Sequence, residues 1–357
     1  MFAVDDAERR GDASAALTLM SGRTEGPDGK PFWRPWRVSR LSQVTMLGDA
    51  LPAWGVSRWI AVQALETLAV PGDRRRKRCE ELTLEIRGGL DGLSVHGVRD
   101  ALCKLVDRDW VYRQLFLYEL GGLSDFVRRC ATPDLLAGAD HIHDWSRAPM
   151  TALRLVERAP RTVTWTYVET GERLELPNIG SAAMVVPGEY VLGRLVPVPD
   201  GVMLDAAPLV VPRRTAQRVA DDPCTWMDAV AAAREDIQTA GFEHGLVNDV
   251  RPLFWHLALH EPGRPTPAVS RFSEYFARRT LAVARECLDG SSVRDPDDID
   301  LWACVRAALL DWGVVTRLPT VAGRSDVAVF ERLSQLLAPP ADVVCRDLAV
   351  RLAASAA

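Results

Sequence analysis

The sequence lacks the short motifs that mark the common enzyme classes. It contains no GxGxxG or GxxxxGK(S/T) phosphate-binding loop, no GxSxG nucleophile elbow and no HExxH zinc-binding helix. Each of these motifs builds one specific geometry around a phosphate, a nucleophile or a metal ion. Their absence removes the simplest enzyme assignments, and the sequence gives no residue a catalytic role.

Paired cysteines are missing as well. The seven cysteines are scattered, and no two of them form a CxxC pair. An odd number without paired spacing predicts neither a disulfide framework nor a zinc ribbon. We expect most of them to be small buried residues of a protein in a reducing compartment.

Long apolar runs do not occur either. No stretch approaches the ~18 to 20 apolar residues that a membrane span needs. The first twenty residues carry several charged side chains and no apolar run after a basic start, so no secretory signal is predicted. We therefore expect a cytoplasmic protein without a membrane partner.

Length and composition favour a folded protein of two or three structural units. The chain has 357 residues, of which 48% are apolar and 25% are charged. The formal net charge of −5 argues against a protein that binds nucleic acid over its whole surface. A local basic patch is still compatible with this total.

The segment at about 152–212 has the two-residue period of β-strands. Threonines alternate with apolar residues from Thr162 to Tyr167, so Val163, Trp165 and Tyr167 are predicted to face inward and the threonines outward. Turn-forming residues follow two of the predicted strands, which indicates hairpins. The predicted strands, about five in number, are 162–167, 173–176, 190–198, 202–204 and 209–211.

Helical apolar spacing dominates on both sides of this segment. One example is the face predicted to carry Leu301, Trp302, Val305, Leu309 and Trp312 inward. The predicted fold class is α+β, mainly α-helical, with a small antiparallel sheet or partial barrel flanked by N- and C-terminal helical regions. The predicted regions are an N-terminal helical region 1–150, a β-rich module 151–215 and a C-terminal helical bundle 216–357.

One run of five consecutive cations is a candidate anion-binding patch. It consists of Arg74, Arg75, Arg76, Lys77 and Arg78. Such a run could contact phosphates or an acidic partner surface. It could equally be the solvated start of a helix.

The segment 93–120 resembles part of the winged-helix regulators, especially those of the GntR type. The resemblance rests on Ser94–Leu102, then on Leu105-Val106 and on Trp110-Val111, which look like a recognition helix and a first wing strand. It implies that Ser94, His96 and Arg99 face DNA. The alternative is an ordinary amphipathic helix with an apolar core face.

Four of the six histidines lie in two close pairs. His256 and His260 are four residues apart on a predicted helix, and His141 and His143 alternate with Ile142. If the pairs met, they would offer a ligand set for zinc or another divalent metal. The alternative places the histidines in polar niches or at helix caps.

Two functions from different classes follow. The first is a cytoplasmic binding or regulatory protein without a cofactor, which contacts nucleic acid or an acidic protein through the basic run and Arg99. The second is a metal-dependent, zinc-type hydrolase that uses the paired histidines. The first accommodates the missing catalytic motifs.

Overall fold

The computed structural model of the protein describes residues 3–22, 32–69, 72–89, 102–103, 105–107, 109–237, 245–250, 272–290 and 299–355. The predicted fold class is confirmed: the fold is mainly helical α+β, and a six-stranded antiparallel sheet curls into a half-barrel with helices before and after it. The division into three regions stays a prediction.

Helices of the described N-terminal part precede the sheet. They are α1 (Ala3–Arg9), α2 (Ala13–Ser21), α3 (Pro35–Leu47), α4 (Ala53–Leu68), α5 (Arg74–Arg87), α6 (Trp110–Gln114), α7 (Gly122–Arg129), α8 (Pro133–Ala137) and α9 (Ile142–Trp145). A π-helix, Leu115–Glu119, continues α6 directly. Three of these helices have an aspartate as N-cap: α2 has Asp12, α5 has Asp73 and α6 has Asp109. Each side chain accepts a hydrogen bond from the backbone N–H three residues later.

The sheet contains β1 (Met150–Arg158), β2 (Thr162–Tyr167), β3 (Arg173–Pro177), β4 (Tyr190–Val198), β5 (Gly201–Leu204) and β6 (Leu209–Val211). The strand order is β3-β2-β1-β4-β5, and β6 also pairs with β4. The same residues of β4 pair with β1 and with β6, so these two strands lie on opposite edges of β4. Strands β5 and β6 follow one another along the edge that faces away from β1. Residues 205–208 interrupt this edge.

Each face of the sheet contributes to a different apolar cluster. One face forms a small cluster with the β3–β4 connection, which includes Trp165, Leu153, Val191, Ala182 and Val185. The other face belongs to the main core, where helix α10 (Arg213–Asp221) contacts β1 and β4. Helices therefore cover the sheet face that a small module could not bury alone.

Helices of the described C-terminal part follow α10. They are α11 (Trp226–Ala232), α12 (Phe272–Asp289), α13 (Leu301–Leu309), α14 (Trp312–Val315), α15 (Leu318–Val321), α16 (Val327–Leu336) and α17 (Ala341–Ser355). Buried residues of α12, α13, α16 and α17 join the same main core as residues of α4 and β4.

Three details of the sequence prediction are wrong. Thr164 is buried, since β2 lies between β1 and β3 and Thr164 is paired there with Glu157 and Glu175. Trp312 is 54% exposed, because α13 ends at Leu309 and Trp312 begins a new helix capped by Asp311. Trp110 begins helix α6 and not a wing strand, since Asp109 caps it.

Among the described residues, every helix is either too short or not apolar enough to cross a bilayer. None combines sufficient length with sufficient hydropathy.

Candidate anion-binding surface

The predicted basic run occupies the start of helix α5. Asp73 accepts a hydrogen bond from the backbone N–H of Arg76 at 3.0 Å and so fixes where the helix begins. Arg74, Lys77 and Arg78 are exposed, whereas Arg75 and Arg76 are half-buried. The five cations therefore differ in what they can contact.

Arg75 connects α5 to helix α7. Its Nε donates to the carbonyl oxygen of Leu120 at 3.0 Å, and its terminal nitrogen lies 3.1 Å from a carboxylate oxygen of Asp125. The guanidinium also lies over the ring of Phe116, 5.8 Å from its centroid. These contacts bring the basic run next to the first turn of α7.

Asp125 is shared by three arginines. Besides Arg75, Arg128 contacts the carboxylate at 2.8 Å and Arg129 at 3.1 Å. The side chains of Arg128 and Arg129 are 68% and 67% exposed, but that of Asp125 is only 13% exposed. We call the surface formed by Arg74–Arg78, Arg128 and Arg129 the basic surface.

The electrostatics of Asp125 reflect this surplus of cations. Partial burial acts to raise the pKa of its carboxyl, but the hydrogen bonds from Arg75 and Arg128 and the charge of Arg129 hold the pKa below its ordinary value. Asp125 therefore stays ionised and neutralises only part of the positive charge around it.

The remaining cations of the run are paired to different extents. Arg76 contacts Glu80 at 2.7 Å, and Arg78 lies 3.6 Å from Glu81. Arg74 and Lys77 form no ion pair with another described residue. Cations at a helix start oppose the helix dipole, so helix stability does not explain them.

The fold adds two residues that sequence reasoning missed. Arg128 and Arg129 are about fifty positions from the run and lie in the last turn of α7, where cations favour a helix end. That position gives each of them an ordinary structural explanation. Only the contact with Asp125 shows that they extend the basic surface.

The histidine pairs are placed only in part. His141 and His143 are exposed on either side of the buried Ile142, and the two ring nitrogens of His141 lie 3.4 Å from Asp140 and 3.6 Å from Asp144. Within the described ranges, no group of three or more His, Cys, Asp or Glu side chains is arranged to hold a metal ion.

The other predicted site residues lie outside the described residues. They are Ser94, His96 and Arg99 of the winged-helix resemblance, and His256 and His260 of the proposed metal site. The DNA-facing role of the first group and the meeting of the histidine pairs stay predictions.

A buried polar cluster beside the sheet was not predicted from the sequence. Asp205, in the interruption between β5 and β6, accepts hydrogen bonds from Arg113, from Gln114 at 3.3 Å and from the hydroxyl of Tyr118 at 2.9 Å. Arg194 of β4 donates to Gln114 at 2.8 Å and also lies over the Tyr118 ring. We call these residues the Asp205 cluster.

The π-helix helps to assemble this cluster. A π-helical turn changes the direction of side chains relative to a regular α-helix, and such turns are frequent at functional sites. Here the turn carries Tyr118 and Glu119. Glu119 accepts hydrogen bonds from Arg194 and from the indole nitrogen of Trp226 on α11. Helices that precede and follow the sheet in the chain thus meet at one polar network.

The charges of the Asp205 cluster do not suit proton transfer at neutral pH. Burial acts to raise the pKa of Asp205, but the charge and hydrogen bond of Arg113 outweigh it and lower that pKa. Burial, together with the charge of Asp205, raises the pKa of the Tyr118 hydroxyl. Neither group titrates near pH 7, so the cluster is better suited to holding the elements together than to acid–base catalysis.

Comparisons with protein-family models, with curated proteins and with solved structures found no match for this chain.

Proposed function

We propose that the protein is a binding or regulatory protein that docks an anionic partner on the basic surface. The observation that carries this proposal is the sharing of Asp125 by Arg75, Arg128 and Arg129, two of which are mostly exposed. The surface keeps a surplus of positive charge, and its guanidinium groups are held close together.

The partner can displace the internal contacts at small cost. Exposed ion pairs contribute only about 0 to 1 kcal/mol each, so Arg128 and Arg129 can leave Asp125 readily. A phosphate or carboxylate then accepts paired N–H bonds from a guanidinium, and such charge-assisted bonds are about twice as strong as neutral ones. Arg75 stays anchored to the Leu120 carbonyl and keeps the surface in place.

Nucleic acid is the partner that we test first, and an acidic protein is the other version of the proposal. The resemblance of Ser94–Leu102 to a winged-helix recognition element supports nucleic acid, because Arg99 would then add a base or phosphate contact. The net charge of −5 confines that contact to a small part of the protein.

The experiment is a fluorescence-anisotropy titration of labelled duplex DNA and of labelled RNA at about 50 mM and about 200 mM salt. We expect binding that weakens as salt rises. Replacing both Arg128 and Arg129 by serine should make the slope of log K against log salt shallower by about 2, because each lost phosphate contact removes about one unit.

A matched control is available on helix α17. Arg346 and Arg351 are 62% and 63% exposed and each pairs with a carboxylate four residues away. Their double replacement by serine should leave the salt slope nearly unchanged. If the unaltered protein binds neither polymer at low salt, the nucleic-acid version is wrong and the acidic-protein version is left.

The zinc-type hydrolase is the second candidate, and one observation favours it. Ile142 is buried, so His141 and His143 both lie on the outside of the chain, as two ligands from this pair require. The purified protein should then contain about one metal ion per chain, and His256→Ala should abolish it. Metal-free protein whose stability is unchanged by added zinc would contradict this candidate.

A further inference from the structure

An open cleft of about 380 Å³ lies between the α1–α2 hairpin with α8 on one side and α3 with α4 on the other. Its volume is at the lower end of the range for small-molecule sites. Val44, Val56, Trp59 and Leu135 line it with apolar surface. We call it the Gly11 cleft, because Gly11 lies in its wall.

The charged lining of the Gly11 cleft has both signs. Arg10, Asp12 and Asp134 line it, and all three are exposed. Asp12 already accepts a hydrogen bond from the N–H of Ala15 at 2.8 Å. In the part of the chain that the structure describes, Arg10 and Asp134 form no ion pair with each other or with another residue. One cation and one carboxylate are therefore left to face the cleft.

These two charges lie on neighbouring segments. A Cβ placed on Gly11 would be 3.7 Å from the Cα of Leu135, so the chain that carries Arg10 passes directly beside the chain that carries Asp134. Gly11 has a φ of +76°, which allows the tight turn after α1. The two opposite charges thus lie on the same wall of the cleft, beside its apolar lining.

We propose that the Gly11 cleft binds a small zwitterion with apolar side chains, of the size of a dipeptide. Its amine pairs with Asp134, its carboxylate pairs with Arg10, and its side chains cover the apolar lining. Two residues of extended chain span about 7 Å, which separates the two charged ends and fits a cleft of this volume. This site is separate from the basic surface and does not depend on the proposed function.

The test uses isothermal titration calorimetry with four peptides that differ in one feature each. Leu-Leu has all features, N-acetyl-Leu-Leu lacks the amine charge, Leu-Leu amide lacks the carboxylate, and Gly-Gly lacks the apolar side chains. Leu-Leu should bind, and the affinity of each of the other three peptides should be lower by about tenfold or more. A lost charged or apolar contact worth about 1.4 kcal/mol lowers the affinity tenfold.

Two variants assign the ends of the ligand. Arg10→Gln should weaken the binding of Leu-Leu and make it equal to that of Leu-Leu amide. Asp134→Asn should make the binding of Leu-Leu equal to that of N-acetyl-Leu-Leu. Both side chains are exposed, so melting temperatures should match that of the unaltered protein; Arg351→Gln on α17 is the control. The proposal is overturned if Leu-Leu gives no binding, if all four peptides bind equally, or if the preferences survive both variants.

Discussion

Asp205→Asn is expected to destabilise the protein more than any surface change, because it removes the carboxylate of the buried Arg113–Asp205 ion pair. The side chains of Arg113 and Asp205 are only 4% and 1% exposed. The asparagine keeps the size of the aspartate but removes its charge. Arg113 then remains in the interior beside a neutral amide whose NH₂ group also competes for acceptors.

The magnitude follows from the loss of one partner of a buried ion pair. Removing one partner of a buried ion pair costs about 3 to 5 kcal/mol. A domain has only about 5 to 15 kcal/mol of unfolding free energy, so this is a large fraction of the total. Tyr118→Phe removes one hydrogen bond to a charged acceptor and should cost about 1.5 to 3 kcal/mol.

Urea unfolding at pH 7 measures these free energies, and the control is Asp347→Asn. Asp347 pairs with Arg351 on the surface, where the side chains are 51% and 63% exposed. That pair should be worth about 0 to 1 kcal/mol. If Asp205→Asn costs no more than Asp347→Asn, the Asp205 cluster does not hold the helices and the sheet together.

The pH dependence gives a second check on Asp205. Its pKa is lowered by Arg113 in the folded protein, so its contribution to stability is fully present above the unfolded pKa of about 3.9. The contribution is lost as the pH falls through the lower folded pKa. Unfolding free energy should therefore fall less steeply with acid in Asp205→Asn than in the unaltered protein.

Three further predictions concern the core and the thiols. Trp165→Ala should cost about 3 to 5 kcal/mol in urea unfolding, and Thr166→Ala far less, because Trp165 is fully buried and Thr166 is not. Gly122→Ala should lower the melting temperature, because the Cβ of the alanine would lie 2.5 Å from the backbone carbonyl oxygen of Phe116. Iodoacetamide followed by mass spectrometry should modify the exposed Cys224 quickly and spare Cys345, since burial raises the pKa of the Cys345 thiol and blocks access.

Five of the six strands could be predicted because their signals are local, whereas the central strand β1 is missing from the prediction. Alternation of threonine with apolar residues fixes β2, and the Pro-Asp-Gly turn before Val202 fixes the hairpin of β4 and β5. Thr164 was mispredicted because the period shows only that two faces differ. How deeply a residue of the second face is buried depends on the strands on either side of it, which the period does not reveal.

The Asp205 cluster could not be predicted for the same reason. Arg113 on α6 and Arg194 on β4 are 92 and 11 positions from Asp205, and the contact of α6 with the sheet interruption brings the three together. For the basic surface, the run at Arg74–Arg78 is visible in the sequence. The contribution of Arg128 and Arg129 depends on a packing contact that no spacing reveals.

Asp125→Asn tests the central claim most directly, because Asp125 is the internal anion that a partner must replace. At equal low salt, the variant should bind the labelled polyanion several-fold and up to about tenfold more tightly, since three arginines lose their carboxylate. Asp347→Asn removes a surface carboxylate elsewhere and should leave the affinity nearly unchanged. Unchanged or weaker binding by Asp125→Asn would contradict the proposal that this surface docks an anionic partner.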